Sequence, residues 1–413
     1  MTSSPMQPKF STRTQWDLSE TAYAAAQRRA RQSQQTMFDL TASNPTTCGF
    51  DYDDSHWREL LHAPETDVYE PNPRGLRSAR EAVAAYTEQA TGARSDHKLD
   101  PEHIFLTTST SEAYSFLFRL LCDHGDEVLI AQPSYPLFEF LADLDHVRLV
   151  SYPLFYDHGW HLDLAALRSR ITARTRAIVV VQPNNPTGHF TKSAERSALE
   201  ALCLEHGLAL IVDEVFLDYG INIQSGTLRN KHSFSTGEHP VLTFVLSGLS
   251  KVSALPQMKV AWLLCMGPEV VLQEAIARLE VIADTFLSMN APLQSALPGM
   301  LAARHAMQSQ IQERTRANLA ELDRQLQKPS MVSRLEVEAG WYAVLRVPAL
   351  GSTEAAAVRL LEMQQVLVHP GHFYGFAGEG WLVVSLLTPV VEFREGLARL
   401  IQFFSEAGSS EPV

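Results

Sequence analysis

The stretch FVLSGLSKVSALPQMKVAWLL, residues 244–264, places Lys251 among small residues directly after a strongly apolar run. The run from Val241 to Leu246 is β-rich, which predicts a parallel strand buried on both faces. Ser-Gly-Leu-Ser ends the run, so Lys251 is expected just past the carboxyl edge of that strand, where open α/β sheets bind their ligands. A lone lysine is ordinarily a solvated surface residue, so its interpretation depends on the rest of the chain.

Composition and charge exclude several classes of protein. The chain has 413 residues, is 45% hydrophobic and carries a formal net charge of −13, which argues against a nucleic-acid-binding or membrane-bound surface. Its four cysteines lie far apart, so we expect reduced thiols and neither a zinc site nor a disulfide framework. No signal peptide and no apolar run of about 20 residues is found, so we expect a cytoplasmic protein.

The order of apolar patterns predicts an α/β fold. From about Glu102, β-rich runs alternate with helical ones, which predicts a mostly parallel sheet covered on both faces. After about Pro268 the pattern changes to long helices, followed by a shorter α+β segment that predicts a second, smaller domain. The β-rich runs are HIFLTTS, EVLIAQP, HVRLVSYPL, AIVVVQP, LALIVDE, VLTFVLS and VAWLLC.

Polar residues stand at the carboxyl ends of several of these runs. Taken singly, each has a structural explanation as a helix cap, a turn or an ion pair. The Walker A, G-x-G-x-x-G, H-E-x-x-H and G-x-S-x-G motifs are absent from the sequence, which disfavours nucleotide hydrolysis, dinucleotide redox chemistry and serine hydrolysis. The strand-end residues are Ser109, Thr110 and Ser111, Asn185 in NNPTG, Asp213, Lys251 and Lys259.

One ligand, pyridoxal phosphate, would explain these residues together. Its phosphate suits a helix N-terminus with hydroxyl side chains and a cation such as Lys259. Its aldehyde needs an amine, which Lys251 would supply with a pKa lowered by burial. A carboxylate such as Asp213 would keep its ring nitrogen protonated. Asn185 can donate to the ring oxygen, and Tyr135 can stack on the ring.

Five segments, in order, resemble the class I and II aminotransferases of the fold type I pyridoxal-phosphate superfamily. They are YEPNPRGLRSAREAV, TTSTSEAYS, NNPTG, DEVFLDY and SGLSKVSALPQMK, and the resemblance runs from about Leu40 to Phe404. It implies a large domain with a mostly parallel central sheet plus a smaller α+β domain. The expected divisions are residues 1–58 for an N-terminal arm and part of the small domain, 59–290 for the large cofactor-binding domain and 291–413 for the small C-terminal domain.

The resemblance also implies roles for individual residues. Lys251 resembles the lysine that forms the Schiff base and moves the substrate proton, and Asp213 resembles the partner of the ring nitrogen. Asn185 resembles the donor to the ring oxygen and Tyr135 the stacking aromatic. Tyr69 resembles a tyrosine that reaches the phosphate of the neighbouring subunit, which implies a homodimer with shared active sites. The residues expected to bind the phosphate are Ser109, Thr110, Ser111, Ser250 and Lys259.

The predicted function is transfer of an amino group between an amino acid or amine donor and an oxo acid acceptor. A carbon-sulfur or other β-eliminating lyase using the same cofactor is the nearest alternative, and these motifs do not separate the two. A cofactor-sensing module of a transcription regulator is disfavoured, because only about 40 residues precede the resemblance and they contain no basic helix-turn-helix pattern.

Three residues depart from the family pattern. Phe216 replaces a tyrosine that donates to the ring oxygen, and Lys259 replaces an arginine, so a bidentate phosphate contact becomes a point charge. Val383, in WLVVSLL, replaces the arginine that binds the substrate carboxylate. Either another group binds the substrate carboxylate in an unusual amino-acid pocket, which the otherwise retained family pattern favours, or the substrate presents a different group there and amines or carboxyl-masked amino acids are the better donors. The candidates for the first case are Arg346, His372 and the backbone near Ser43 and Asn44.

Overall fold

The computed structural model describes residues 9–52, 58–61, 69, 71–91, 98–221, 232–287, 289–349 and 351–409. Its strands are β1 (Phe38–Asp39), β2 (Ile104–Thr107), β3 (Glu127–Gln132), β4 (Arg148–Tyr156), β5 (Trp160–Leu162), β6 (Thr175–Val181), β7 (Ala209–Asp213), β8 (Thr243–Gly248), β9 (Ala261–Met266), β10 (Ser333–Arg334), β11 (Tyr342–Arg346), β12 (Val366–Leu367), β13 (His369–Pro370) and β14 (Trp381–Ser385). Its α-helices are Ala22–Gln32, Arg77–Thr91, Thr110–Leu121, Phe138–Leu144, Leu164–Arg170, Ser193–His206, Leu249–Val252, Glu269–Phe286, Ala291–Ala302, Arg304–Leu326, Thr353–Gln364 and Val390–Ser409.

Eight of the strands form one large sheet in the order β2-β9-β8-β7-β6-β3-β4-β5. The five strands from β8 to β4 in this order are parallel to their neighbours. Strand β9 is antiparallel to both β2 and β8, and β5 is antiparallel to β4. The prediction of an α/β fold with a mostly parallel sheet is therefore confirmed.

The strand before Lys251 lies two residues later than its sequence pattern indicated. Ser247 and Gly248 were interpreted as a strand break, yet both pair with β9, opposite Trp262 and Ala261. A Cβ at Gly248 would lie 3.0 Å from the Ala261 Cβ and from the Val260 oxygen, so glycine allows the two strands to approach. Strand pairing outweighed the local turn preference of the serine-glycine pair.

Helices cover both faces of the large sheet. Val180 and Val245 project into an apolar cluster with residues of the helices Arg77–Thr91, Ser193–His206 and Ala291–Ala302. Neighbouring positions of the same strands project to the other face, where they pack against Thr110–Leu121 and Glu269–Phe286. This two-sided burial is why these strands are continuous apolar runs rather than alternating ones. No described helix is both long and apolar enough to span a membrane.

A second, four-stranded sheet has the order β10-β11-β14-β13 and is antiparallel throughout. It packs with the C-terminal helix Val390–Ser409 and with the N-terminal helix Ala22–Gln32 around a separate apolar cluster. Strand β1 pairs with β12, so an N-terminal segment is built into this C-terminal layer. This arrangement agrees with the α+β segment indicated by the sequence, while the domain boundaries at 58/59 and 290/291 stay a prediction.

The NNPTG turn connects the two sheets. Gly188 has a φ of +69°, and its carbonyl accepts a hydrogen bond of 2.8 Å from the Ala339 N–H. The Gly340 N–H donates at 2.8 Å to the Tyr219 carbonyl, just beyond β7. These bonds hold the approach to β11 against the carboxyl edge of the large sheet.

We predict that Gly188→Ala destabilises the fold more than Gly207→Ala does. A Cβ at Gly188 would lie 2.3 Å from the Ala339 carbonyl oxygen, whereas one at Gly207 meets no atom within 4 Å. Both glycines have a left-handed φ, +69° and +65°, so Gly207→Ala should cost about 1 kcal/mol and Gly188→Ala at least about 2 kcal/mol. Urea unfolding of both variants measures the difference, and equal losses would contradict the close approach.

Candidate active site

Three chain segments converge at the carboxyl edge of the large sheet. Ala261 of β9 lies opposite Thr107 of β2 on one side and opposite Gly248 of β8 on the other. The Leu249 N–H also donates to the Val260 carbonyl at 2.9 Å. The segments that follow Thr107, follow Gly248 and precede Ala261 are therefore neighbours, and they carry the residues expected to bind a phosphate.

The hydroxyl residues among them occupy the start of the helix Thr110–Leu121. Ser109 is its N-cap, and its Oγ accepts a hydrogen bond from the Glu112 N–H at 3.1 Å. Thr110 and Ser111 are half-buried, and their hydroxyls have no hydrogen-bond partner among the described residues. Helix capping thus explains Ser109. The hydroxyls of Thr110 and Ser111 stay available to bind a ligand at the positive N-terminal end of the helix.

Ser250 and Lys259 lie on the neighbouring segments. Ser250 is half-buried on the short helix Leu249–Val252, and Lys259 is exposed with a left-handed φ of 52°. Neither side chain makes a hydrogen bond or ion pair with a described residue. Their position beside Thr110 is what a phosphate cup requires, and their binding to a phosphate stays a prediction.

Lys251 lies on the same short helix, against aromatic side chains. Its Nζ is 4.8 Å from the ring centroid of Trp341 and 5.4 Å from that of Phe216. It makes no hydrogen bond or ion pair with any described residue. Burial lowers the pKa of Lys251 to about 8, although the negative charge of Asp213 opposes this shift. The amine is therefore easier to deprotonate than an exposed lysine.

Asp213 ends β7, between Val181 and Leu246 in the sheet register. Its Oδ1 accepts a hydrogen bond from the Val215 N–H at 3.1 Å, and its Oδ2 accepts one from the Tyr114 hydroxyl at 3.3 Å. Burial raises the pKa of Asp213 to about 6, and these two donors together with the charge of Lys251 limit the rise. The Tyr114 contact cannot be predicted from the sequence, because helical spacing shows that Tyr114 is buried but not what its hydroxyl contacts.

Asn185 and Tyr135 follow the ends of β6 and β3. Asn185 is buried, and its Oδ1 has no hydrogen-bond partner among the described residues. Tyr135 is 42% exposed, and burial and the negative charge of Asp213 both raise its pKa. The amide of Asn185 and the ring of Tyr135 thus stand at the edge that carries Asp213 and Lys251.

Tyr69 and Phe216 have different surroundings. Tyr69 is 75% exposed, and residues 62–68 and 70 on either side of it lie outside the described residues. Its predicted contact with a neighbouring subunit stays a prediction. Phe216 is buried, with its ring T-shaped against Trp341 at 5.2 Å, so it forms part of the apolar wall beside Lys251.

Val383 lies fully buried in the middle of β14, opposite Val344 on one side and His369 on the other. The His369 Nδ1 is 3.0 Å from the Tyr374 hydroxyl, and burial lowers the pKa of His369. Burial raises the pKa of Tyr342, two residues before Val344, to about 12. The residue opposite Val383 in β13 is therefore an imidazole that burial disfavours in its charged form and that pairs with a hydroxyl.

The two side chains considered as substitutes for the missing arginine point elsewhere. Arg346 donates to the Glu379 carbonyl and lies over the Trp381 ring at 4.3 Å. The His372 Nε2 is 3.7 Å from Glu354, and half of its side chain is exposed. Neither has a described contact with Val383 or Lys251. Of the candidates, the segment at Ser43 lies beside β14, because the Ser385 hydroxyl donates a hydrogen bond to the Ala42 carbonyl.

Comparison with known proteins agrees with this fold. A family model described as aminotransferase class I and II matches residues 36–400. The alanine aminotransferase of Mycobacterium tuberculosis (strain H37Rv) is 30% identical over 271 residues, 65% of this chain and 61% of the relative. The glutamate-pyruvate aminotransferase AlaA of Escherichia coli K12 is 30% identical over 258 residues, 62% of each chain. The chain thus spans about three fifths of the length of these curated relatives.

A solved structure covers nearly the whole chain. Alanine aminotransferase from Pyrococcus furiosus superposes with a TM-score of 0.82 at 23% identity, covering 96% of this chain and all of that one. The fold is therefore that of the fold type I enzymes. The chain belongs to the class I and II aminotransferase family, as the five sequence segments predicted.

The residues at the sheet edge fit the cofactor on which this family generally depends. Lys251 supplies a half-buried amine that makes no hydrogen bond or ion pair with a described residue, Asp213 a buried carboxylate and Asn185 a buried amide. The Oδ1 of this amide lacks a partner among the described residues, and unpartnered buried polar groups are rare in folded proteins. The aldehyde, ring nitrogen and ring oxygen of pyridoxal phosphate are complementary to the Lys251 amine, the Asp213 carboxylate and the Asn185 Nδ2 group, respectively.

We predict that Lys251 in the cofactor-free protein reacts with an amine-directed reagent in a pH-dependent manner set by its pKa of about 8. Its rate should rise about tenfold per pH unit below that value and level off above it, because only the neutral amine reacts. Peptide mass spectrometry measures the rate, with the exposed Lys259 from the same digest as reference. In Asp213→Asn the plateau should begin at lower pH, and a shift to higher pH would contradict the assigned role of the Asp213 charge.

Proposed function

We propose that this chain is a pyridoxal-phosphate-dependent aminotransferase that transfers an amino group between an amino acid or amine donor and an oxo acid acceptor. The observation that carries the proposal is the half-buried amine of Lys251, which has a lowered pKa and no hydrogen bond or ion pair with a described residue, at the same sheet edge as the buried carboxylate of Asp213. Family membership supports it, as do the relatives named alanine aminotransferase and glutamate-pyruvate aminotransferase.

When bound, pyridoxal phosphate supplies the aldehyde carbon and the electron-accepting ring that amino-group transfer requires. Lys251 is the nucleophile for that aldehyde and the base that takes the substrate α-proton and returns it, since its pKa of about 8 lies close to neutral pH. Asp213 would hold a proton at the ring nitrogen, Asn185 would donate to the ring oxygen and Tyr135 would stack on the ring. Thr110, Ser111, Ser250 and Lys259 would hold the phosphate, with Ser109 capping the helix.

The apolar wall beside Lys251 lowers the pKa of its amine. Trp341 and Phe216 lie about 5 Å from the amine and are both buried. They keep water from solvating the ammonium form, which is the physical origin of its lowered pKa. Phe216 offers no hydroxyl to the cofactor, so the ring oxygen would depend on Asn185 and on donors outside this wall.

We further propose a cytoplasmic homodimer, with the domains divided at 58/59 and 290/291. The exposed ring of Tyr69, which resembles a residue that completes the site of a neighbouring subunit, supports the dimer. The four free cysteines support a reducing compartment. A monomeric mass at sedimentation equilibrium, in a preparation with full activity, would contradict the shared site.

We predict that the purified protein, reconstituted with pyridoxal phosphate, carries a borohydride-reducible link at Lys251, because the amine of this half-buried lysine lies at the sheet edge with a lowered pKa. Mass spectrometry should find the reduced cofactor on the Lys251 peptide. Lys251→Ala should lose the link, whereas Lys259→Ala should keep it with weaker cofactor binding. Amino-group transfer to the cofactor by a donor supports the aminotransferase proposal, and elimination of a thiol instead would identify the lyase alternative.

We predict that the wild type discriminates poorly between an amino acid and its amide. Val383 itself carries no charge, and among the described residues the Arg346 and His372 side chains contact other groups, whereas a charge-assisted hydrogen bond is worth roughly ten- to a hundredfold in affinity. The measurement is the rate of the half-reaction with alanine, alaninamide and ethylamine. Val383→Arg should lower the apparent dissociation constant of alanine about tenfold or more, because the guanidinium pairs only with the carboxylate. The apparent dissociation constant of ethylamine should stay unchanged.

Val383→Leu is the matched control, since it alters side-chain volume at this buried position without adding charge. It should not change the ratio of alanine to alaninamide. A wild-type preference for alanine of more than a hundredfold would show that a cation outside the described contacts already binds the carboxylate.

A further inference from the structure

The carboxylate of Asp213 is held from two sides. The Val215 N–H is a backbone donor that comes from the chain immediately after β7, at 3.1 Å from Oδ1. The Tyr114 hydroxyl comes from a different element, the helix Thr110–Leu121, at 3.3 Å from Oδ2. Tyr114 and Asp213 are 2% and 7% exposed, so bulk water does not compete for this bond.

Packing fixes the ring of Tyr114. Phe138 meets it edge-on at 4.9 Å with an interplanar angle of 87°, and Phe118 lies at 6.1 Å. These apolar neighbours leave the hydroxyl as the only polar part of the side chain, and Asp213 is its hydrogen-bond partner in the described chain. A buried tyrosine hydroxyl that pairs with a carboxylate must donate, because the ionised carboxylate has no proton to give.

We propose that Tyr114 is a positioning residue that holds Asp213 in its ionised form and fixed orientation for the ring nitrogen of the cofactor. The inference rests on the proposed function, which assigns that nitrogen to Asp213. Tyr114 itself touches neither substrate nor cofactor in the role given to it. Tyr114 acts through the carboxylate of Asp213. The helix that carries Tyr114 also begins with the hydroxyls that would bind the phosphate.

The electrostatic balance at Asp213 explains why a second donor matters. Burial raises the pKa of Asp213 to about 6, close to neutral pH, in spite of both donors and of the positive charge of Lys251. The negative charge of Asp213 also acts on Tyr135, whose pKa it raises together with burial. A hydrogen bond to the charged form of a carboxyl lowers its pKa, so removal of the Tyr114 hydroxyl raises it further.

The test compares Tyr114→Phe with Tyr152→Phe. Tyr152 is also a fully buried tyrosine of the large-sheet layer, and its hydroxyl also makes one 3.3 Å hydrogen bond, but to the Val179 carbonyl. For each variant, the cofactor dissociation constant is measured by fluorescence from pH 5 to 9, and thermal unfolding checks the fold. Tyr114→Phe should shift the acid limb of cofactor affinity upward by about one pH unit, whereas Tyr152→Phe should not.

Asp213→Asn completes a double-mutant cycle. With the carboxylate replaced by an uncharged amide, the further change Tyr114→Phe should leave the pH profile of cofactor affinity unaltered. Equal pH profiles for Tyr114→Phe and Tyr152→Phe, or an undiminished shift in the Asp213→Asn background, would overturn the inference about Tyr114. If the wild type still binds the cofactor in that case, the proposed function stands. A wild type that binds no cofactor overturns both.

Discussion

The candidate site depends on the desolvation of a carboxyl and an amine at one edge of a parallel sheet. Desolvation raises the pKa of Asp213 to about 6 and lowers that of Lys251 to about 8, and each charge partly stabilises the other. Both groups stand at the ends of strands that are covered by helices on both faces. The sheet thus brings the pKa values of a carboxyl and an amine close to neutral pH, a condition that suits acid-base chemistry.

The second sheet encloses this edge. Trp341 precedes β11 and reaches Lys251, while the hydrogen bonds of Gly188 and Tyr219 with residues 339–340 fix where β11 begins. The same four-stranded sheet supplies Tyr342 and Val383. The position of the small sheet therefore determines which aromatic side chain shields the Lys251 amine from water. A change in this contact is expected to alter the pKa of Lys251.

The departures from the family pattern have different consequences. Phe216 places an aromatic ring beside Lys251 but lacks the hydroxyl of a tyrosine. The apolar surroundings of the amine are therefore kept, while one hydrogen-bond donor is lost. Val383 stands where the family resemblance predicts an arginine, and it is an aliphatic side chain fully buried between Val344 and His369. No charge-assisted hydrogen bond to a carboxylate can come from this side chain.

The sequence by itself determined the α/β fold, the mostly parallel sheet and the residues at its carboxyl edge. Continuous apolar runs are a direct consequence of burial on two faces, and polar residues that end such runs must meet at one edge. Local patterns were less informative where pairing partners decided the outcome, as at Ser247 and Gly248, which stay in β8 because β9 pairs with them.

Only the tertiary structure decided which side chains meet across elements. Helical spacing places Tyr114 on a buried face, but the contact with Asp213 depends on how that helix packs on the sheet. Arg346 was a reasonable candidate for a carboxylate, yet strand register sets it opposite Trp381, and its guanidinium lies over that ring. Sequence patterns report burial and periodicity, whereas hydrogen-bond partners and side-chain directions are fixed by contacts between residues that are distant in the chain.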